Sequence, residues 1–177
     1  MQYTAHYKSP LGEILLASDD IGLTGLWFES QRYFALSLAK EHIGKENDII
    51  AWAKKWLDIY FSGHEPDFIP PLHIEGTDFY KDVCDIMSSI AYGKTMTYGE
   101  IAQIIASKRG IDKMSARAVG WAVGHNEISI IIPCHRVVGA NGNLTGYAGG
   151  IQRKVKLLEL EGVDLSGFYI PRKGTAL

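Results

Sequence analysis

The chain has 177 residues, 46% apolar and 21% charged, with a net charge of −2, which suits one compact domain or two small ones and excludes a mainly disordered chain. No uncharged apolar stretch approaches the roughly 20 residues of a membrane-spanning helix, and the opening MQYTAHYKSP has no apolar signal core. Two cysteines make no disulfide framework, so a cytoplasmic protein in a reducing compartment, without membrane association, is expected.

The small net charge conceals an asymmetry. Residues 1–93 hold 7 Lys+Arg and 14 Asp+Glu, net −7, and residues 94–177 hold 11 and 6, net +5. A polyanion partner would face the second half, unless the asymmetry is only a chance distribution over solvated faces.

Residues 3–7, 13–17 and 23–28 are short β-rich runs separated by Ser9-Pro10-Leu11-Gly12 and Ser18-Asp19-Asp20-Ile21-Gly22, the pattern of a β-meander. Residues 31–42 have a helical look. Ile49, Trp52, Ala53, Trp56, Leu57 and Tyr60 then recur at helical spacing and predict an amphipathic helix packed on the meander. Ser62-Gly63-His64-Glu65-Pro66 and Pro70-Pro71 break it, placing a domain boundary near residue 75.

From Thr77 the pattern is helical, with Phe79, Val83, Ile86, Met87 and Ile90 on one face. Thr97-Tyr98-Gly99-Glu100 has capping-box spacing ahead of Ile101, Ile104 and Ile105. Ser115 is an N-cap for a third helix, 116–123, stopped by Gly124. Two short capped helices in a basic half suggest a helix-turn-helix, although the connection 107–114 exceeds the roughly three or four residues of the compact motif. Residues 128–132, Ile-Ser-Ile-Ile-Ile, read as a buried extended segment delivering Pro133-Cys134-His135-Arg136. A glycine-rich run, 139–150, a last helix bearing Val155, Leu157, Leu158 and Leu160, and a polar tail from about residue 167 complete the chain.

Cys134 is the focal chemical candidate. It follows a rigid proline, ends an apolar run and adjoins a histidine and an arginine, so nearby positive charge would favour its thiolate; the bland alternative is a small buried hydrophobe. His135 is adjacent, yet neighbouring side chains on a strand point to opposite faces, so a base role requires a turn or a bridging water. Arg136 would have the duller task of pairing with a carboxylate, and Cys84 belongs to a helix core. The other histidines are scattered without ligand spacing, so no metal is expected. The glycine-rich run lacks phosphate-loop spacing but would let a flat ligand approach backbone, with Tyr147 as a stacking wall. In residues 116–120, Ala-Arg-Ala-Val-Gly, one arginine stands among small residues, which suits close approach to a nucleic-acid groove or, equally, helix packing.

Arg117-Ala118-Val119-Gly120, Asn126, the run Ile132-Pro133-Cys134-His135-Arg136-Val137-Val138-Gly139, Gly146-Tyr147-Ala148-Gly149-Gly150 and Leu157-Leu158-Glu159-Leu160-Glu161-Gly162 together resemble the O6-alkylguanine-DNA alkyltransferases, continuously from about Gly76 to Gly162. The resemblance implies an α+β protein: a small N-terminal α/β domain, ribonuclease-H-like, over residues 1–75; a mostly helical, winged-helix-like DNA-binding and alkyl-acceptor domain over 76–166; and a tail, 167–177. It implies a monomer, needing no cofactor, that flips O6-alkylguanine out of double-stranded DNA and moves the alkyl group irreversibly to Cys134, with O4-alkylthymine left open as a second lesion. By the same resemblance His135 is the water-mediated base, Glu161 orients it, and Tyr98 donates toward guanine N3. Ser115, Ala116, Arg117, Ala118 and Gly120 meet DNA. Asn126, Pro133, Arg136, Val137, Tyr147 and Ala148 form the base pocket, with the carbonyls of Cys134 and Val137 accepting from the exocyclic amine. The chain departs from the family pattern at Tyr80 and Cys84, where glutamine and tryptophan are frequent. Two other readings remain open on the residues: a helix-turn-helix protein that binds DNA without chemistry, and a cysteine hydrolase with turnover, for which no oxyanion-hole signature is present.

Overall fold

The computed structural model describes residues 1–172 in two compact units, Met1–Glu75 with Glu127–Ile131, and Gly76–Asn126 with the chain from Ile132 onward. The tail expected from residue 167 continues past 172, outside the described residues. No helix among the described residues is long and apolar enough to cross a membrane.

In the first unit the meander is present as β1 (Gln2–Ser9), β2 (Gly12–Ser18) and β3 (Leu23–Phe28), joined antiparallel, with β4 (His42–Ile43) parallel to β1, in the order β3-β2-β1-β4. Ser9 and Asp19 close the two turns by accepting Leu11 N–H and the Ile21 and Gly22 N–H groups. Helix α1 (Asp48–Phe61), capped by Asn47, packs on this sheet. Its buried face is Ile50, Ala53, Trp56, Leu57 and Tyr60, while Trp52 is exposed. The inward face is thus rotated by about one residue at its N-terminal end.

Two expectations fail in this unit. Residues 31–42 form turns rather than a helix, because Tyr33 and Ala35 adopt φ of 57° and 51°, which interrupts right-handed helical geometry. Of residues 128–132, assigned by chain order to the second domain, 128–131 belong together with Glu127 to the first unit. They are not a strand: Ile128 makes one bridge to Leu26, and Ile130 turns with φ of 69°. The β3 edge explains the placement. Leu26 donates its N–H to Glu127 O at 2.8 Å and accepts from Ser129 at 3.0 Å, and Trp27 Nε1 donates to the Glu127 carboxylate at 2.7 Å. Buried backbone groups of an edge strand are thereby satisfied by a short excursion of the chain.

The second unit holds α2 (Asp78–Ser88), β5 (Met96–Thr97), α3 (Tyr98–Arg109), α4 (Ala116–Gly124), β6 (Val137–Val138) and α5 (Ile151–Leu160). The caps expected at Thr97 and Ser115 are both made, that of Thr97 as a complete capping box, and Thr77 caps α2. Helix α3 ends at Gly110 in left-handed geometry, φ 62°, so it runs further and leaves a shorter connection to α4 than 107–114. Lys108 and Arg109 both pair with Asp82 of α2. Helix α4 packs against α2 and α3, and β5 pairs in parallel with β6.

Candidate active site

Between Pro133 and β6 the chain makes a 3-10 turn, Cys134–Arg136. This supplies the departure from strand geometry that sequence adjacency demanded. Asn126 and Ile132 are where the chain leaves and re-enters the second unit, and Asn126 Nδ2 donates to Ile132 O at 2.8 Å. The turn is fastened at its entrance.

His135, Arg136 and Glu161 form one buried cluster. His135 Nε2 lies 2.6 Å from Glu161 Oε1; Arg136 Nε donates to Oε2 at 2.9 Å and Nη2 to Oε1 at 3.1 Å; Arg136 Nη1 donates to Ile90 O at 2.6 Å. Burial would raise the Glu161 carboxyl, but the hydrogen bonds from His135 and Arg136 and the positive charge of the guanidinium outweigh it and draw the value down to about 2. Burial lowers His135 against the opposing pull of Glu161. The resting state is therefore a neutral imidazole beside an ionised carboxylate, with Arg136 balancing the charge. Because Glu161 accepts the Nε2–H, Nδ1 is the ring nitrogen able to take a proton. Arg136, expected in the base pocket, is instead bound to Glu161, the carboxylate partner its alternative reading foresaw.

Cys134 is 3% exposed. The expected thiolate is corrected for the free protein: burial raises the thiol, and a side-chain hydrogen bond from Asn126 and the charge of Lys154 only partly offset this. The cation acting on the sulfur is thus Lys154, not the adjacent Arg136. Sequence reading passed over Lys154. Its signal was helical phase, since Lys154, Leu157, Leu158 and Glu161 are spaced i, i+3, i+4 and i+7 and all are buried.

Tyr98 opens α3 and donates its hydroxyl to Thr145 O and Gly146 O, each at 3.3 Å; burial raises its phenol. Pro133, Val137 and Tyr147 are buried and Ala148 half-buried. Cys134 O accepts from Val137 N–H, and Val137 O accepts from Lys154 at 2.5 Å, so each proposed amine acceptor has one lone pair already engaged. A recess of about 210 Å3 opens between 144–147 and Ile170-Pro171, and Cys134 is not in its wall.

On α4, Ser115, Ala116 and Arg117 are exposed and Ala118 half-buried. Gly120 is buried, so its expected place on a DNA-facing surface is corrected: with Val119, Ala122 and Val123 it forms the face turned toward the helices beneath. The exposed residue that sequence reading missed is Trp121, four positions after Arg117 and therefore on the same face, 59% exposed and stacked on His125. Tyr80 donates to His125 O at 3.1 Å. Cys84 is fully buried, and burial pushes its thiol up to about 12.

Fold and site together define a cysteine-centred protein in which a buried thiol stands beside an imidazole–carboxylate pair on a helix-turn-helix unit. Residues 2–74 match the 6-O-methylguanine DNA methyltransferase ribonuclease-like domain and residues 78–163 the DNA binding domain of the same family. The methylated-DNA–protein-cysteine methyltransferase of Methanosarcina acetivorans is 42% identical over 160 residues, covering 90% of this chain and 98% of its own; that of Mycobacterium bovis is 43% identical over 159, covering 88% and 92%. The crystal structure of the Mycobacterium tuberculosis O6-methylguanine methyltransferase aligns with a TM-score of 0.76 at 42% identity, covering 91% of this chain and 93% of that one, and that of Mycobacterium tuberculosis OGT in complex with DNA with 0.77 at 42%, covering 90% and 92%. The chain belongs to the methylated-DNA–protein-cysteine methyltransferase family.

Proposed function

We propose that the protein repairs DNA by moving an alkyl group from guanine O6 to its own Cys134, once per molecule. The observation that carries this is the Cys134–His135–Glu161 arrangement: a buried thiol in the 3-10 turn and, next to it in the chain, a buried imidazole whose Nε2 lies 2.6 Å from the Glu161 carboxylate. A bridging water carries the Cys134 proton to His135 Nδ1, and Glu161 stabilises the resulting imidazolium. The sulfur attacks the alkyl carbon; the C–S bond forms, the O6–C bond breaks, and its electron pair stays on the purine. Tyr98 donates to N3 and disperses that charge. The thioether is a poor leaving group, so no step regenerates the thiol.

A base inside a duplex is out of reach of a side chain, so the lesion is rotated out at a cost that weakened pairing reduces. Exposed Arg117, flanked by Ser115, Ala116 and Ala118, fills the space it leaves, and Asn126, Pro133, Val137, Tyr147 and Ala148 enclose the purine. The same geometry accommodates O4-alkylthymine as the smaller base. Residues 76–126 and 132–166 hold all of this machinery, and 1–75 with 127–131 form the accompanying domain. The protein acts as a monomer, without a cofactor, in the cytoplasm, where reducing conditions keep Cys134 free.

Incubation with a duplex containing one O6-methylguanine is expected to add one methyl mass to the Cys134 peptide, saturating at one per protein. Cys134→Ser is expected to keep lesion binding and lose transfer. Absence of the adduct refutes the proposal, and product beyond one equivalent would favour a hydrolase.

A further inference from the structure

Lys154 is fully buried on α5, and its three Nζ hydrogens meet three carbonyls: Val137 at 2.5 Å, Thr145 at 2.8 Å and Gly146 at 3.2 Å. A buried ammonium survives only when it is so matched. Burial nevertheless draws it down to about 8. Two of these carbonyls, Thr145 and Gly146, are also the acceptors of the Tyr98 hydroxyl. One proton divided between two oxygens at 3.3 Å each makes two weak bonds.

To serve a purine, Tyr98 must release both oxygens. Stripping a buried carbonyl of its donor is costly, whereas a carbonyl that keeps one good bond gives up a second readily. Lys154 provides that remaining bond at each. Its third bond, to Val137 O, anchors the same ammonium to β6, directly after the Cys134 turn.

We propose that Lys154 is a positioning residue for alkyl transfer: it holds the Thr145 and Gly146 carbonyls against β6, so that Tyr98 is released from them to the departing purine. This rests on the alkyltransferase reading above. It is a claim about preparation of a donor, since Lys154 touches no substrate atom.

The test is a double-mutant cycle on single-turnover methyl transfer from an O6-methylguanine duplex, with lesion-duplex affinity measured alongside. Tyr98→Phe is expected to slow the wild-type background by about 10²-fold, the scale of a lost donor to developing charge. Lys154→Met is expected to slow transfer at least about tenfold while affinity changes by less than about threefold. In the Lys154→Met background, Tyr98→Phe should cost less than about threefold further, because there Tyr98 stays committed to the loop. A purely structural role would instead give costs that multiply, and that result overturns the proposal, as does wild-type transfer by Lys154→Met. Should Lys154→Met fail to fold, Lys154→Gln, whose two amide donors cannot serve all three carbonyls, takes its place with a smaller expected non-additivity and the same refutation. Wild-type transfer by Tyr98→Phe also overturns the proposal, since no donor would then need preparing. Failure of the wild-type protein to methylate Cys134 refutes the alkyltransferase reading itself, and is thereby distinguished from all of these.

Discussion

Replacing Glu161 with glutamine tests the resting charge state of the site. The carboxylate takes two bonds from Arg136 and one from His135, and a carboxyl drawn from the ordinary 4.5 to about 2 corresponds to about 3 kcal/mol of folding stability. Glutamine keeps the shape but leaves the Arg136 guanidinium, 8% exposed, without a counter-charge, for which a loss of about 3–5 kcal/mol is usual. The sign with pH follows. The folded value lies below the unfolded one, so the contribution is fully present above about 4.5 and is lost as pH falls through about 2. Urea unfolding of both proteins between pH 7 and pH 2 should therefore show a constant gap above pH 5 that closes toward pH 2. Transfer is expected to suffer separately. A glutamine amide can donate to Nε2, which moves the ring proton to Nδ1 and removes the base, an effect on the scale of about 10²–10⁴-fold. Equal stability at pH 7 would show that the carboxylate does not hold Arg136, and wild-type transfer by Glu161→Gln that it does not set the tautomer.

Arg117→Ala should slow transfer from a duplex by about tenfold or more and leave transfer from free O6-benzylguanine unchanged, because a free base needs no extrusion; equal losses on both substrates would remove Arg117 from that step. Asn126→Ala removes the bond to Ile132 O and should lower stability by about 1–3 kcal/mol, read from the urea midpoint, with slower transfer as the Cys134 turn loosens. Gly142 has φ of 79°, and a Cβ there would lie 2.1 Å from Gly167 O, so Gly142→Ala should cost about 1–3 kcal/mol. Limited proteolysis should then cut within 163–172, the segment tied to this glycine by the bond from Tyr169 N–H to Gly142 O; an unchanged cleavage pattern would show that the clasp does not depend on this glycine.

Local features were legible in the residues alone. The Thr97 and Ser115 caps and the α1, α2 and α5 periodicities follow from residues within one or two helical turns, and the runs at 117–120, 132–139, 146–150 and 157–162 together with Asn126 carried the resemblance to the family. Tertiary structure decided the remainder. The apolar run at 128–132 fits a strand or a buried turn equally well, and only the unsatisfied edge of β3 selects the turn. Residues 31–42 lose their helix to left-handed geometry at Tyr33 and Ala35. Gly120 and Arg117 look alike as candidates for DNA contact until packing of α4 on α2 and α3 buries one and exposes the other. Above all, the proton on Cys134 and the burial of Lys154 depend on how much water is excluded and on which carbonyls are brought together from residues 137, 145 and 146. Solvation and long-range hydrogen bonding are properties of the assembled fold.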